Sequence, residues 1–253
     1  MTLTLNTFLI VCPLVFLAGL VDAIGGGGGL ISLPAYLLAG LPVHTAVATN
    51  KLSSCCGTAT AAVRFIKEGL VNFRLAVPAI ICAMIGSSAG SFVSMMVPEH
   101  IMQIILYFVL PAAAFLVLNK KLFHDRGSDE IVLDRRTVTV VCLASLVIGF
   151  YDGFYGPGTG TFLIIALTVF AGMSVKTANA QTKIINLTTN VTSLAVFLLH
   201  GQVLIPLGLA AAAANIAGGW LGAGLVMKQG SRIVRPSIML VLVLLAVKII
   251  GLY

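Results

Sequence analysis

Two lysines, Lys51 and Lys183, stand in segments otherwise too apolar to hold a charge. The segments match residue by residue: Thr45-Ala46-Val47-Ala48-Thr49-Asn50-Lys51 and Thr177-Ala178-Asn179-Ala180-Gln181-Thr182-Lys183. A charged side chain at a bilayer centre costs about 2.5–3.5 kcal/mol on insertion scales, so it usually serves function. The competing reading is that each lysine, less than two turns from the start of its segment, snorkels to the interface along its own stem. Thr49, Asn50, Gln181, Thr182 and Asn186 supply polar groups beside them.

The second chemical feature is a glycine run before each lysine segment. Gly25 to Gly29 is unbroken, and the second run reads Tyr155-Gly156-Pro157-Gly158-Thr159-Gly160-Thr161. Glycine costs about 1 kcal/mol and proline about 3 kcal/mol in a helix interior, so these runs interrupt the helix. Each is expected to start a short helix, Leu30 to Leu38 and Phe162 to Phe170, whose free N–H groups and positive dipole end suit an anion. Gly26, Gly28, Gly158 and Gly160 would let the backbone approach it closely. The plainer reading is that the glycines only permit tight helix packing, which fits Gly86/Gly90 and Gly218/Gly222 better. Asp22 and Asp152 stand just before the two runs. They could carry a coupling proton, or pair with a lysine and satisfy free N–H groups. His44, His100, His124 and His200 fall at segment ends, where interfacial or loop roles are expected.

These features recur because the chain is written twice, 132 residues apart, with a two-residue insertion in the second glycine run. Such a duplicated apolar chain is the signature of many transporters, where the substrate site lies between the repeats. The 253 residues are 59% hydrophobic and only 9% charged. A soluble domain carries about 25% charged residues. Apolar runs suited to membrane spans are Leu75 to Val97, Ile101 to Leu118, Thr137 to Phe150, Ile184 to Leu199 and Ile233 to Val247. Their patterns do not alternate, so the spans are expected to be helices with backbone bonds closed internally. The first basic residue is Lys51, so no secretory leader pattern opens the chain. The five cysteines lie in apolar stretches without metal-ligand spacing and are expected to be small buried hydrophobes.

Net charge of +7 reflects loops, not nucleic-acid affinity. Arg64, Lys67 and Arg74 flank one turn of the first half, whereas the equivalent turn at Gly201 and Gln202 has no basic residue. The next turn reverses this: Pro98 and Glu99 have none, and the counterpart carries Lys228, Arg232 and Arg235. With basic loops cytoplasmic, the copies are upside down relative to each other. The expected fold is therefore all-α: a polytopic membrane protein of two inverted-topology repeats, each with a glycine-rich broken or re-entrant helix. Residues 1–118 form the first repeat, 119–136 a basic cytoplasmic linker, and 137–253 the second repeat, with both termini outside.

Gly19, Asp22, Gly25 to Gly29, Leu30, Pro34, Gly40-Leu41-Pro42 and Ala46 to Lys51 together resemble the first signature of the TauE/SafE family of sulfite exporters. Gly149-Phe150-Tyr151-Asp152 through Gly160 is similar to its second. The resemblance implies a secondary transporter in the cell membrane that exports sulfite or an organosulfonate such as sulfoacetate. The expected site is Gly26, Gly28, Thr49, Asn50, Lys51, Gly158, Gly160, Gln181, Thr182 and Lys183, working by alternating access, with Asp22 or Asp152 as proton carriers. An anion channel, a carrier of another carboxylate or of a metal ion, and a membrane scaffold are the rivals. A membrane-embedded enzyme lacks a catalytic cluster; Gly86-Ser87-Ser88-Ala89-Gly90 has neither the strand nor the partners of a hydrolase elbow. The expected partners are a small anion and the lipid bilayer, with a homodimer open. No cofactor, metal or nucleic acid is expected.

Overall fold

The structure is a computed structural model that describes residues 3–102, 104, 105, 108 and 133–229. Among the described residues all of the long elements are helices, and eight have defined bounds. They are α1 (Leu5–Gly25), α2 (Gly29–Leu38), α3 (Val43–Lys67), α4 (Phe73–Met96), α5 (Arg135–Phe154), α6 (Thr159–Val169), α7 (Val175–Leu199) and α8 (Ile205–Gln229). Five of them, α1, α4, α5, α7 and α8, are long and apolar enough to cross a membrane. The expected span Ile233 to Val247, residues 119–132 of the linker, both chain ends and most of the run Ile101 to Leu118 lie outside the described residues.

The repeat seen in the sequence is repeated in the turns. Gly69 and Gly201 both close a long helix in the left-handed conformation, at φ 69° and 66°. In each, the next residue's N–H bonds back to a phenylalanine carbonyl, Leu70 to Phe65 and Gln202 to Phe197. Helix starts follow ordinary capping chemistry. Asn72, Asp134 and Ser174 accept from the third residue on, at Leu75, Thr137 and Thr177. The Thr137 N–H at 2.7 Å holds the Asp134 carboxyl below the usual carboxylate range.

Packing is exchanged between the halves. The first long helix of each half lies on the last described long helix of the other. Gly218 sits against the Phe16 backbone and Gly222 against Leu20, so α1 and α8 run in the same direction. Gly86 sits against Leu146 and Gly90 against Phe150, so α4 and α5 do likewise. Lipid gives helices no hydrophobic reason to associate, so close backbone approach through small residues and interhelical hydrogen bonds must hold them. Ser87 provides such a bond, donating to the Thr189 carbonyl at 2.8 Å and sharing one with Ser193 at 2.7 Å. α3 and α7 cross the middle and present their buried faces to each other and to both glycine turns.

Candidate ion-pair site at the helix crossing

α1 ends where the glycine run begins: Gly26 adopts φ 75°, and its N–H bonds back to the Asp22 carbonyl at 2.8 Å. α5 ends at Phe154, and Gly156 and Gly158 take φ 99° and 86° before α6 starts. The short helices thus begin at Gly29 and Thr159, one and three residues before the expected starts. The two broken turns meet back to back. A Cβ on Gly26 would stand 2.6 Å from the Gly160 Cα. Thr161 N–H donates to the Gly26 carbonyl at 3.2 Å, and its hydroxyl donates to the Gly25 carbonyl at 2.9 Å. Asn179 Nδ2 donates to the Ala23 and Ile24 carbonyls at 3.2 and 3.0 Å. The carbonyls freed by breaking α1 are therefore satisfied by the other half of the chain, as backbone at membrane depth requires.

Each lysine reaches across to the aspartate of the opposite half. Lys51 Nζ on α3 donates to Asp152 Oδ2 on α5 at 2.7 Å. Lys183 Nζ on α7 donates to Asp22 Oδ2 on α1 at 3.0 Å, and also to the Asp22 backbone carbonyl. The lysine side chains are 2% and 0% exposed, so neither snorkels; Asp152 is 3% and Asp22 18% exposed. Both aspartates pair with a lysine, and Asp22 also satisfies an N–H. Asp22 Oδ1 accepts from Gly28 N–H at 3.3 Å, and Asp152 Oδ1 accepts from the Thr159 hydroxyl at 2.7 Å. Each carboxylate thus occupies the electropositive start of its own half's short helix.

A partly open cavity of about 20 Å³ lies between the turns, room for about one water. Of the expected site residues it brings together Gly26, Asn50, Lys51 and Gly160 with Asp22 and Asp152. Lys183 reaches it through Asp22. Gly28 lines an adjoining cavity of about 10 Å³ beside Asn215. The remaining four turn elsewhere. Gly158 is a turn residue that accepts from Phe162 N–H. Thr182 is fully buried, its hydroxyl without a partner among the described residues. Thr49 accepts from Leu204 N–H at 3.0 Å, and the Gln181 carboxamide oxygen accepts from Asn72 N–H at 3.2 Å. These are matched contacts: each ties a central helix to the loop before the other half's last described long helix. Thr49→Val and Gln181→Met keep the shape and remove the acceptor. Each is expected to lower stability by about 1 kcal/mol, measurable as thermal unfolding in detergent.

Ser54, Thr58 and Asn190 also line the cavity, as does Asn186. The sequence carried a signal for them. Ser54 and Asn186 follow the lysines by one turn and Thr58 and Asn190 by two, in the same repeat register. All five cysteines are free, and they differ from expectation only in being half-buried rather than buried. His44 does more than sit at an interface. Its Nε2–H donates to the Ser94 and Val97 carbonyls at 3.0 and 3.1 Å, beside a wider recess of about 210 Å³ that also holds Glu99.

Residues 11–249 match the family described as Sulfite exporter TauE/SafE. Proteins named as probable membrane transporters from Sinorhizobium sp and Haemophilus influenzae are each 35% identical. The matches cover 93% of this chain in both cases, and 89% and 91% of those proteins. The probable membrane transporter protein YfcA of Escherichia coli K12 is 30% identical over 98% of this chain and 94% of its own length. No solved structure matches the chain. A multi-pass helical chain with two crossed ion pairs at its interrupted helices, matched along nearly its whole length, belongs to the TauE/SafE sulfite exporter family of membrane transporters rather than to any class of enzyme.

Proposed function

We propose that this protein is a secondary transporter that exports a small oxyanion, sulfite or an organosulfonate such as sulfoacetate, across the cell membrane. Two inverted-topology repeats, 1–118 and 137–253, form one membrane unit, and alternating access comes from one rocking against the other. The observation that carries this reading is the pair of crossed Lys–Asp contacts around one cavity at the meeting of two broken helices. Ion pairs at membrane depth are costly and mark ion or substrate paths.

Helix directions support the inversion. Gly57 lies against Asn215 and Arg64 against Gly224, so α3 runs with α8 as α1 does. α7 and α8 both pack on α3 and are joined by the turn 200–204, so the chain doubles back and α7 opposes its counterpart α3. With these directions Arg64, Lys67, Arg74, Arg135, Arg136, Lys176 and Lys228 gather at one end of the bundle. That end is cytoplasmic by the positive-inside rule, with 119–136 on the same side and both termini outside.

In the site we assign, Lys51 supplies the cation, while Asn50, Ser54, Asn186 and Asn190 orient the anion's oxygens. Gly26 and Gly160 keep the backbone close, and Lys183 acts once Asp22 lets it go. The cavity has room for about one water, less than any such anion needs, so binding widens it. The test is uptake into proteoliposomes offered sulfite, sulfoacetate, thiosulfate and plain carboxylates. We expect saturable movement of the sulfur oxyanions, and Asn186→Leu and Asn190→Leu should each weaken their apparent affinity about tenfold or more. Flux that never saturates would indicate a channel, and movement of none of these anions would overturn the assignment.

A further inference from the structure

We propose that Asp152 holds the place of the transported anion, so that anion and proton bind together and cross in the same direction. This rests on the transport reading above and deepens it. The features that make an anion site here are an ammonium, a helix N-terminus and a wall of hydroxyl and amide groups. In this structure Asp152 already uses the ammonium and a hydroxyl beside the helix N-terminus: Oδ2 takes the Lys51 ammonium and Oδ1 takes the Thr159 hydroxyl at the start of α6. The pair sums to zero charge, as does Lys183 with Asp22. An anion entering beside them would face two carboxylates and find no free cation. Charges interact more strongly in such a buried space than in water, so this state is disfavoured.

One proton removes both obstacles. Placed from water on Asp152 Oδ2, it neutralises the carboxylate, frees the Lys51 ammonium for the anion and restores zero net charge. The linkage is reciprocal: proton binding strengthens anion binding, and the bound anion raises the carboxyl's hold on its proton. The titratable groups facing Asp152 are few. Lys51 comes from α3, and across the cavity stands Asp22 of α1, held by Lys183 of α7. Tyr151 is its neighbour on α5 and donates to the Pro157 carbonyl, while the Tyr155 hydroxyl has no partner among the described residues. α2, α4, α6 and α8 bring no titratable side chain to the cavity wall. The coupling is therefore symport: each anion charge that displaces an aspartate travels with a proton. Export then runs on the anion's own outward gradient, and an acidic exterior opposes it.

The test uses the full-length protein in liposomes loaded with a pH dye, with sulfoacetate outside. Both acid groups of sulfoacetate are ionised at neutral pH, so it brings no proton of its own. We expect the lumen to acidify as the anion enters, and apparent affinity to improve, by up to about tenfold per pH unit, as pH falls. Asp152→Asn, which mimics the protonated carboxyl, should bind sulfoacetate more tightly than wild type at pH 7.5 and lose that pH dependence. Alkalinisation, or anion entry with no pH change, overturns the symport while leaving the transporter assignment standing. If wild type does not move sulfoacetate, the symport falls, and the transporter reading falls with it only if sulfite, thiosulfate and the carboxylates are not moved either. Should Asp152→Asn not fold, the wild-type dye signal decides alone.

Discussion

Lys51→Ala is expected to destabilise the protein by about 3–5 kcal/mol, because it leaves the Asp152 carboxylate buried without its cation. The loss is not the strength of the contact. Desolvating two charges cancels most of their attraction, so a buried pair replaced whole by apolar groups is often neutral or stabilising. The informative variant is therefore the double one. Lys51→Met with Asp152→Leu should recover most of the stability lost by Lys51→Ala, and should move no anion. The two readouts, thermal unfolding in detergent and anion counterflow in liposomes, separate a structural pair from a working one. A double variant that folds and transports at the wild-type rate would remove Lys51 from the mechanism. A single variant as stable as wild type would mean that Asp152 finds water or another cation. Lys183 gives a graded comparison. Its partner Asp22 is 18% exposed against 3% for Asp152, so Lys183→Ala should cost less.

The elements were legible in the sequence because their causes are local. Interrupted helices follow from glycine and proline, spans from runs of apolar residues, and the repeat from matched types. Lysines and aspartates could be named as important for the same reason: charge in an apolar stretch is an anomaly visible without coordinates. Their pairing was not legible. Lys51 meets Asp152, and the contact joins residues 101 apart in the chain, from the middle of α3 to the end of α5. Thr49 and Gln181 show the opposite failure. Polar residues beside a lysine look like ligands, yet a helix turns each one about 100° from its neighbour. Thr49 and Gln181 therefore face the turns at Leu204 and Asn72, while Ser54 and Asn190, a turn or two away, share the lysines' side of their helices. Reading the lysine segments by helical face rather than by adjacency would have found the cavity wall. The cysteines misled for a related reason: an apolar segment in a membrane helix has a lipid face as well as a core face, and composition alone does not tell them apart.

Gly26→Ala is expected to be the most damaging alanine substitution among the described glycines of positive φ. Its backbone has φ 75°, where a side chain costs roughly 1–2 kcal/mol. Its new methyl group would also collide with the Gly160 backbone, and neither turn can retreat without losing the Thr161 bonds to Gly25 and Gly26. Overpacking of this kind adds about 1–3 kcal/mol, and the atoms met here are main chain rather than a flexible side chain. Gly160→Ala should behave alike through the steric term alone. Two controls isolate the crossing. Gly69 has φ 69° with nothing within 4 Å of an added Cβ, so Gly69→Ala carries the conformational cost without the collision. Gly27, the next residue along, has ordinary φ, and the nearest atom to its added Cβ is 3.7 Å away. The expected order of stability is Gly27→Ala above Gly69→Ala above Gly26→Ala, read from thermal unfolding, with transport lost in the last even where folded protein is recovered. A Gly27→Ala protein as damaged as Gly26→Ala would mean that the run is needed for flexibility along its whole length, and not for the single point at which the two broken helices touch.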